Sequence, residues 1–169
     1  MITLPDGREL WHTPAPDLPA AALTRLSEFW SSATKSLFIV DYSFNLPLFK
    51  SLIPDLLSEG VIVTLVLDRS QSTGNTEKPI IAALRASQAQ YKELFTMVIG
   101  TSSMHQICHD KFAVVDGINA EYGSFNFTNA AAKEDNFFFI EPNSPVATDL
   151  LDIGTAILTW ITENEPQET

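Results

Sequence analysis

The stretch Cys108–Asn136, CHDKFAVVDGINAEYGSFNFTNAAAKEDN, decides how the sheet of this chain is built. Two apolar runs, over residues 109–115 and 120–125, flank the turn-forming pair Asp116-Gly117, and this pattern predicts a β-hairpin. The strands of a hairpin are antiparallel. Any sheet that contains this segment is therefore at least partly antiparallel.

Strands and helices alternate through the rest of the chain. Further strands are predicted over residues 36–44, 61–68, 94–101 and 136–141, and helices over 17–36 (with Asp17 as N-cap), 47–60, 78–90 and 144–164. Residues 4–16 are predicted to form a turn and a short extended segment, and residues 69–78 a polar loop. The alternation predicts an α/β fold, a three-layer sandwich in which helices cover both faces of a mixed central sheet.

Length and composition set the class of protein. The chain has 169 residues, a net charge of −11 and 45% hydrophobic residues, which predicts one domain over residues 1–169 with a substantial core. Its motif-bearing part covers about 37–141, after an N-terminal segment and helix over 1–35, and a C-terminal helix covers about 144–163. The one cysteine, Cys108, excludes an intrachain disulfide and is expected to be a small buried hydrophobe. Without a signal peptide or spanning segment, a soluble cytoplasmic protein is expected.

The hairpin gathers side chains that suit a phosphodiester. His109 and Lys111 lie two residues apart, so on one strand they share a face. A loop over 116–119 pairs Val115 with Ala120, and this register places Lys111 opposite Ser124 and His109 opposite Asn126. Lysine, hydroxyl and amide groups bind phosphate oxygens, and an imidazole can act as nucleophile or acid. Thr128 and Asn129 are expected to cap a short helix whose N–H groups face the same anion.

These residues also resemble a known family. His109-x-Lys111 followed by Asp116, and then GSFNFT over 123–128, resembles the HKD signature of the phospholipase D superfamily. The similarity extends upstream to FIVDYSF and to VLDRSQ, and it covers about 37–141. The nearest group is the single-motif branch, which contains bacterial endonucleases and mitochondrial phospholipase D-like proteins.

The resemblance implies roles for individual residues. His109 would attack phosphorus and form a phosphohistidine, Lys111 and Asn126 would hold the phosphoryl oxygens, and Asp116 would mainly support the local structure. Asp135-Asn136 stands two residues before the position of the family's Glu-Asn pair. Asp135 would orient His109, with Glu134 as its substitute. Further substrate contacts are expected from Tyr42, Gln71, Ser124 and Thr128. No metal and no cofactor is implied.

Three functions remain open at this stage. The single-motif architecture favours a metal-independent nuclease, with nucleic acid as partner, although the acidic charge opposes binding of a duplex. The alternatives are a phospholipase of the same chemistry and an inactive domain that binds nucleic acid or protein. The reaction needs two imidazoles, and His12 and His105 are poor candidates for the second. A homodimer that shares one site between two copies of His109 is therefore expected.

Overall fold

The computed structural model describes residues 1–13 and 19–167, so the expected N-cap Asp17 lies outside the described residues. The strands are β1 (Ile2–Thr3), β2 (Glu9–Thr13), β3 (Ser36–Asp41), β4 (Ile62–Asp68), β5 (Phe95–Gly100), β6 (Lys111–Val115), β7 (Asn119–Gly123) and β8 (Asn136–Glu141). The helices are α1 (Pro19–Ser31), α2 (Phe49–Ser58), α3 (Arg69–Ser72), α4 (Lys78–Gln90) and α5 (Ala147–Asn164), with a 3-10 turn at Ala131–Lys133.

The strands form one mixed sheet in the order β1-β2-β8-β7-β6-β3-β4-β5. Strands β3, β4 and β5 are parallel to one another, and the remaining pairings are antiparallel. Parallel neighbours need crossover connections, which the helices between these strands provide. The hairpin β6–β7 then adds the antiparallel half, as the Asp116-Gly117 turn predicts.

Two separate cores lie on the two faces of the sheet. One contains apolar side chains of α1, α2 and α4, such as Trp30, Ile53 and Leu84, packed on Leu37, Leu65 and other strand residues of that face. The opposite core contains Val40, Val66 and Val114, covered by apolar side chains of α5. Helices therefore cover both faces, and the predicted three-layer α/β sandwich is confirmed.

The structure differs from the sequence-based expectations at the N-terminus and around α3. Residues 9–13 do more than form an extended segment, because β2 pairs along its whole length with β8 and enlarges the sheet. The expected polar loop after β4 begins with the single helical turn α3. The Asp68 carboxylate caps this turn by accepting hydrogen bonds from the amides of Ser70 (2.8 Å) and Gln71 (3.3 Å).

The hairpin register also differs from the expectation. Val115 pairs with Asn119, and Val114 pairs with Ala120, so the register is shifted by one residue from the predicted pairing of Val115 with Ala120. The expected loop over 116–119 is one residue too long, since Ile118 N–H already bonds to the carbonyl of Val115 (3.2 Å). Strand β6 begins only at Lys111, and His109 precedes it.

Candidate active site

The predicted site residues lie at one end of the sheet. Strands β3 and β4 end there with Asp41 and Asp68, β6 begins there with Lys111, and β7 ends there with Gly123. Lys111 pairs directly with Asp41 across the antiparallel β3–β6 ladder. This end is formed by the carboxyl ends of the parallel strands, where open α/β sheets commonly bind their ligands.

His109, Lys111 and Tyr42 form the centre of the site. The His109 ring is exposed and packs against the Tyr42 ring, with 4.6 Å between the ring centroids. Lys111 is only 7% exposed, and its Nζ donates a hydrogen bond to the His109 carbonyl oxygen at 2.5 Å. The same Nζ lies 5.1 Å from the centroid of the Tyr42 ring. Lys111 therefore supports the backbone that presents the imidazole to solvent.

The turn α3 supports Tyr42 from the other side. The Gln71 side-chain amide donates a hydrogen bond of 2.9 Å to the Tyr42 hydroxyl. The buried Asp68, which caps α3, also accepts a bond of 2.7 Å from the amide of Cys108. Since Cys108 immediately precedes His109, one carboxylate fixes both α3 and the backbone next to His109.

The buried carboxyl group of Asp41 and the ammonium group of Lys111 shift each other's pKa. Asp41 is fully buried, and this desolvation raises its pKa well above the usual range, although the Phe127 amide and Lys111 favour its charged form. Burial has the opposite effect on Lys111 and lowers its pKa, because it disfavours the charged ammonium form. The negative charge of Asp41 opposes that shift. Each group therefore makes the ionised form of the other less costly to bury.

The segment 123–128 is held against this centre by its aromatic residues and by Asp41. Phe125 and Phe127 are fully buried, and the Phe127 amide donates a hydrogen bond of 3.1 Å to Asp41 Oδ2. Phe127 packs on Trp30 of α1 at 4.7 Å between ring centroids. Asn126 lies between the two phenylalanines, and its buried Oδ1 accepts no hydrogen bond from the described residues. Asn126 therefore lies next to Phe127, whose backbone is anchored by the hydrogen bond to Asp41.

Ser124 joins this segment to β8. Its hydroxyl donates to Asn136 Oδ1 (3.3 Å) and accepts from the Phe137 amide (3.1 Å). Gly123 makes this approach possible, because a Cβ there would lie 2.7 Å from Phe138 Cα. Ser124 and Asn136 therefore stand beside the centre at the same end of the sheet.

Several comparisons with known proteins bear on this site. A family model described as "Cardiolipin synthase, PLD-like domain" matches residues 26–152, three quarters of the chain. The chain belongs to the phospholipase D superfamily. No curated protein sequence matches it. Among solved structures, Nuc from Salmonella typhimurium, titled a phospholipase D family member, is similar at 25% identity and a TM-score of 0.73, over 90% of this chain and 94% of that one.

Two further structures share the fold. NucT from Helicobacter pylori is 19% identical, with a TM-score of 0.73, and the similarity covers 90% of this chain and 95% of that one. TrmBL2, titled an archaeal chromatin protein with a novel mode of DNA binding, is 9% identical at a TM-score of 0.63, over 90% of this chain and 52% of that one. Within the superfamily, the similarity to Nuc supports phosphodiesterase or nuclease chemistry at the level of the fold.

Some expected site residues lie elsewhere in this phospholipase D-like domain. Asp116 lies in the hairpin turn, about 17 Å along β6 from Lys111. Its carboxylate accepts hydrogen bonds from the amides of Thr34, Lys35 and Ser36 and from the Thr34 hydroxyl. Burial alone would raise the pKa of Asp116, but these bonds lower it. The local structural support expected of Asp116 is thus visible in its contacts.

Thr128 and the two acidic candidates differ from expectation as well. Thr128 is buried, and its hydroxyl accepts a hydrogen bond from the Ala131 amide at 3.0 Å. The N-cap of the 3-10 turn that follows is Ala130, without a side-chain cap bond, and not the expected Thr128 or Asn129. This turn has three residues and is too short to act as the expected helix N-terminus for an anion. The side chains of Glu134 and Asp135 are exposed, and within the described residues neither is hydrogen-bonded to His109.

Two acidic residues at the centre were not predicted as site residues. Asp41 and Asp68 end their strands, and this position favours loop capping over contact with the site. Glu121 was not singled out at all, yet it is fully buried, and neither carboxylate oxygen has a hydrogen-bond partner among the described residues. An acidic residue flanked by Ala120 and Tyr122 on a buried strand is the signal that could have identified it.

Residues 1–13 and 19–167 contain no group of three or more His, Cys, Asp or Glu side chains arranged to hold a metal ion. None of the helices in this part of the chain is long and apolar enough to cross a membrane.

Proposed function

We propose that the protein is a metal-independent phosphodiesterase that cleaves nucleic acid through a phosphohistidine on His109. The observation that carries the proposal is the exposed His109 ring, held against Tyr42 beside the buried Lys111. An exposed, oriented imidazole can reach a phosphorus atom as a nucleophile. The Lys111 ammonium supplies positive charge to the phosphoryl oxygens. The Asn126 amide adds a neutral donor to the same oxygens.

The reaction has two displacements. A ring nitrogen of His109 attacks phosphorus, a phosphorus–nitrogen bond forms, and the phosphorus–oxygen bond to the leaving group breaks. The leaving oxygen takes a proton from a second, protonated imidazole. That imidazole, now neutral, removes a proton from water, and the water oxygen attacks phosphorus. The phosphorus–nitrogen bond then breaks and restores His109.

The second imidazole is proposed to be His109 of another copy. The chain contains three histidines. His12 lies on β2, three strands from β6, which corresponds to about 14 Å. His105 packs edge-on against Trp160 of α5, with 5.2 Å between the ring centroids. A two-fold symmetric dimer would bring two copies of His109 to its axis and complete one site.

A lipid phosphodiester is the second candidate substrate. The loop that leads to His109 exposes two large apolar side chains, Met104 at 76% and Ile107 at 48%. Such side chains can enter the apolar boundary of a bilayer. The net charge of −11 also opposes binding of a long polyanion. Nucleic acid remains the first candidate because of the similarity to Nuc across nearly the whole of both chains.

A substrate panel tests this proposal. Fluorescent single- and double-stranded DNA, RNA and phosphatidyl lipids are incubated with the protein in excess EDTA. We expect cleavage of nucleic acid, with His109→Ala losing several powers of ten in rate and His105→Ala keeping most of it. Cleavage of lipid alone would select the second candidate. Loss of all cleavage in EDTA, restored by Mg²⁺ or Zn²⁺, would refute the chemistry. No cleavage of any substrate would favour the inactive binding domain.

The shared site is tested by mixing subunits. Wild-type and His109→Ala chains are combined in varying ratios after subunit exchange, and activity is measured against the wild-type fraction. Mixed dimers hold one His109 and should be nearly inactive, so activity should follow the square of that fraction. A linear decrease, or an active monomer in sedimentation, would show that each chain carries a complete site.

A further inference from the structure

A buried carboxyl group beneath the candidate active site takes no part in the proposed reaction. Glu121 lies on β7, it is fully buried, and neither of its carboxylate oxygens has a hydrogen-bond partner among the described residues. An ionised carboxylate without a partner is very costly to bury, so such a group keeps its proton and stays neutral. An acidic residue that breaks the pattern of an apolar core in this way is expected to have a functional reason.

Glu121 lies on the same face of the sheet as Asp41 and Lys111. Its neighbours on the adjacent strands, Ala113 of β6 and Ile140 of β8, both belong to the core under α1, α2 and α4. Lys111 lies two residues before Ala113 on β6, so it shares that face. Asp41 pairs directly with Lys111 and therefore lies on the face as well. Glu121 is thus one row of side chains deeper in the sheet than the Asp41–Lys111 pair.

A small side chain separates Glu121 from this pair. Ala113 lies opposite Glu121 on one side and opposite Ile39 of β3 on the other. An alanine fills little of the space above its strand, so it screens the buried carboxyl groups on either side only weakly. Burial raises the pKa of Glu121 well above its usual range, and the charge of Asp41 raises it further. The two carboxyl groups therefore influence each other although no hydrogen bond joins them.

The other charged groups on this face of the described chain are paired or exposed. Glu9 of β2 forms an ion pair of 2.8 Å with Arg25 of α1. Lys133 of the 3-10 turn is exposed, and solvent screens its charge. The Asp41–Lys111 pair is therefore the part of the site on which a charge at this depth of the core would act.

The charge of Glu121 determines whether this pair is balanced. Lys111 contributes one positive charge and Asp41 one negative charge. A protonated Glu121 adds none and leaves Asp41 as the single anion beside Lys111. An ionised Glu121 would add a second negative charge, and this charge would repel an anion that approaches Lys111 from solvent.

We propose that Glu121 is a positioning residue, which keeps the candidate active site able to bind an anion for as long as it holds its proton. Glu121 does not touch the substrate and acts through the Asp41–Lys111 pair. Because a carboxyl group is neutral below its pKa and charged above it, anion binding should weaken as the pH rises. The inference rests on the proposed function only in identifying the natural anion as a phosphodiester.

Titration calorimetry of the full chain with sulfate, between pH 6 and 10, tests this role without any cleavage. Sulfate keeps both of its negative charges over this range, so a change of its Kd reports on the protein. Glu121→Gln replaces the acid by a neutral side chain of nearly the same size. A charge about 10 Å from an anion, at an effective dielectric constant of about 20, changes its affinity about 10-fold. The wild-type Kd divided by that of Glu121→Gln should therefore be close to one at pH 6 and rise at least about 10-fold at alkaline pH.

Three further variants make the result specific. Glu121→Met is apolar and of similar length, so it should match Glu121→Gln and replaces it if that variant does not fold. Glu93→Gln removes an exposed carboxylate and should keep the pH dependence of the wild type. Lys111→Gln should raise the Kd of sulfate at pH 6, which shows that the anion occupies this site. Tryptophan fluorescence identifies the pH range over which each protein is folded.

A purely structural role of Glu121 predicts a different result. It would change the Kd of the two Glu121 variants by the same factor at every pH. A Kd ratio that does not change with pH therefore overturns the proposal. The proposal is equally wrong if wild type does not bind sulfate at pH 6, or if Lys111→Gln binds it as tightly as wild type.

Cleavage of a phosphodiester by the same proteins separates this inference from the proposed function. If wild type binds sulfate with the expected pH dependence but cleaves no phosphodiester, the proposed function is wrong and the role of Glu121 in anion binding is supported. If wild type cleaves phosphodiesters while the Kd ratio stays constant, the role of Glu121 is wrong and the proposed function is supported.

Discussion

Glu121→Gln should make the fold increasingly more stable than the wild type as the pH rises. Glu121 is fully buried on β7, between Ala113 of β6 and Ile140 of β8, and neither carboxylate oxygen has a partner among the described residues. This desolvation raises the pKa of Glu121 well above the usual range, and the charge of Asp41 adds to the effect. The folded protein therefore holds the proton that the unfolded chain releases at about pH 4.3.

The sign and slope of the effect follow from proton linkage. Between the unfolded pKa and the raised folded pKa, the native state binds more protons than the unfolded state, so wild-type stability falls as pH rises. The decrease caused by one group is about 1.4 kcal/mol per pH unit. Glutamine has nearly the size of a protonated glutamic acid and does not titrate. The free energy of unfolding of Glu121→Gln, minus that of wild type, should therefore rise with this slope until the folded pKa is reached.

Urea unfolding of both proteins at several pH values between 5 and 8.5, followed by tryptophan fluorescence, measures this difference. Glu93→Gln, at an exposed position, is the matched control and should change stability by less than about 0.5 kcal/mol throughout. A difference between Glu121→Gln and wild type that is independent of pH would refute the reasoning. It would show that the Glu121 carboxyl finds a partner or solvent in the native protein.

Three further outcomes are expected. Tyr42→Phe keeps the ring packed on His109 and loses only the hydrogen bond from Gln71, so kcat should fall by less than about 10-fold. Tyr42→Ala removes the ring that holds the imidazole, so kcat should fall by about 100-fold. Equal kcat values for the two variants would contradict this role of the ring. Asp116→Asn should lower the free energy of unfolding by about 1.5 kcal/mol at pH 7. Because the Asp116 pKa is lowered in the fold, the loss should shrink as the pH falls below about 4, and a loss that persists in acid would contradict the assignment. The Cys108 thiol is buried, and desolvation raises its pKa to about 11. A disulfide reagent at pH 8 should therefore label Cys108 only as the protein unfolds in urea. A rapid reaction with the native protein would place the thiol at the surface.

The strand–helix alternation was enough to predict the layers of this fold, but not the edge of its sheet. Each predicted strand after residue 35 is present, because apolar runs such as residues 65–67 are stabilised by burial on both faces of the sheet. Strand β2 was not predicted as part of the sheet. Its five residues, ELWHT, carry too little alternation, and they become a strand by pairing with β8, which lies more than 120 residues away.

The hairpin shows why part of the site could be predicted despite an error in its register. All five residues of β6 are buried, so the strand has no polar face that would fix its pairing, and the sequence does not distinguish a loop of three residues from one of four. The predicted pairing of Lys111 with Ser124 depended on that register and is therefore wrong. His109, Ser124 and Asn126 lie just beyond the ends of β6 and β7. Their positions depend on local anchors, namely Asp68 at Cys108, β8 at Ser124 and Asp41 at Phe127. Residues at the ends of strands meet at the same end of the sheet in either register, so the motif residues lie together as expected although the pairing was wrong by one residue.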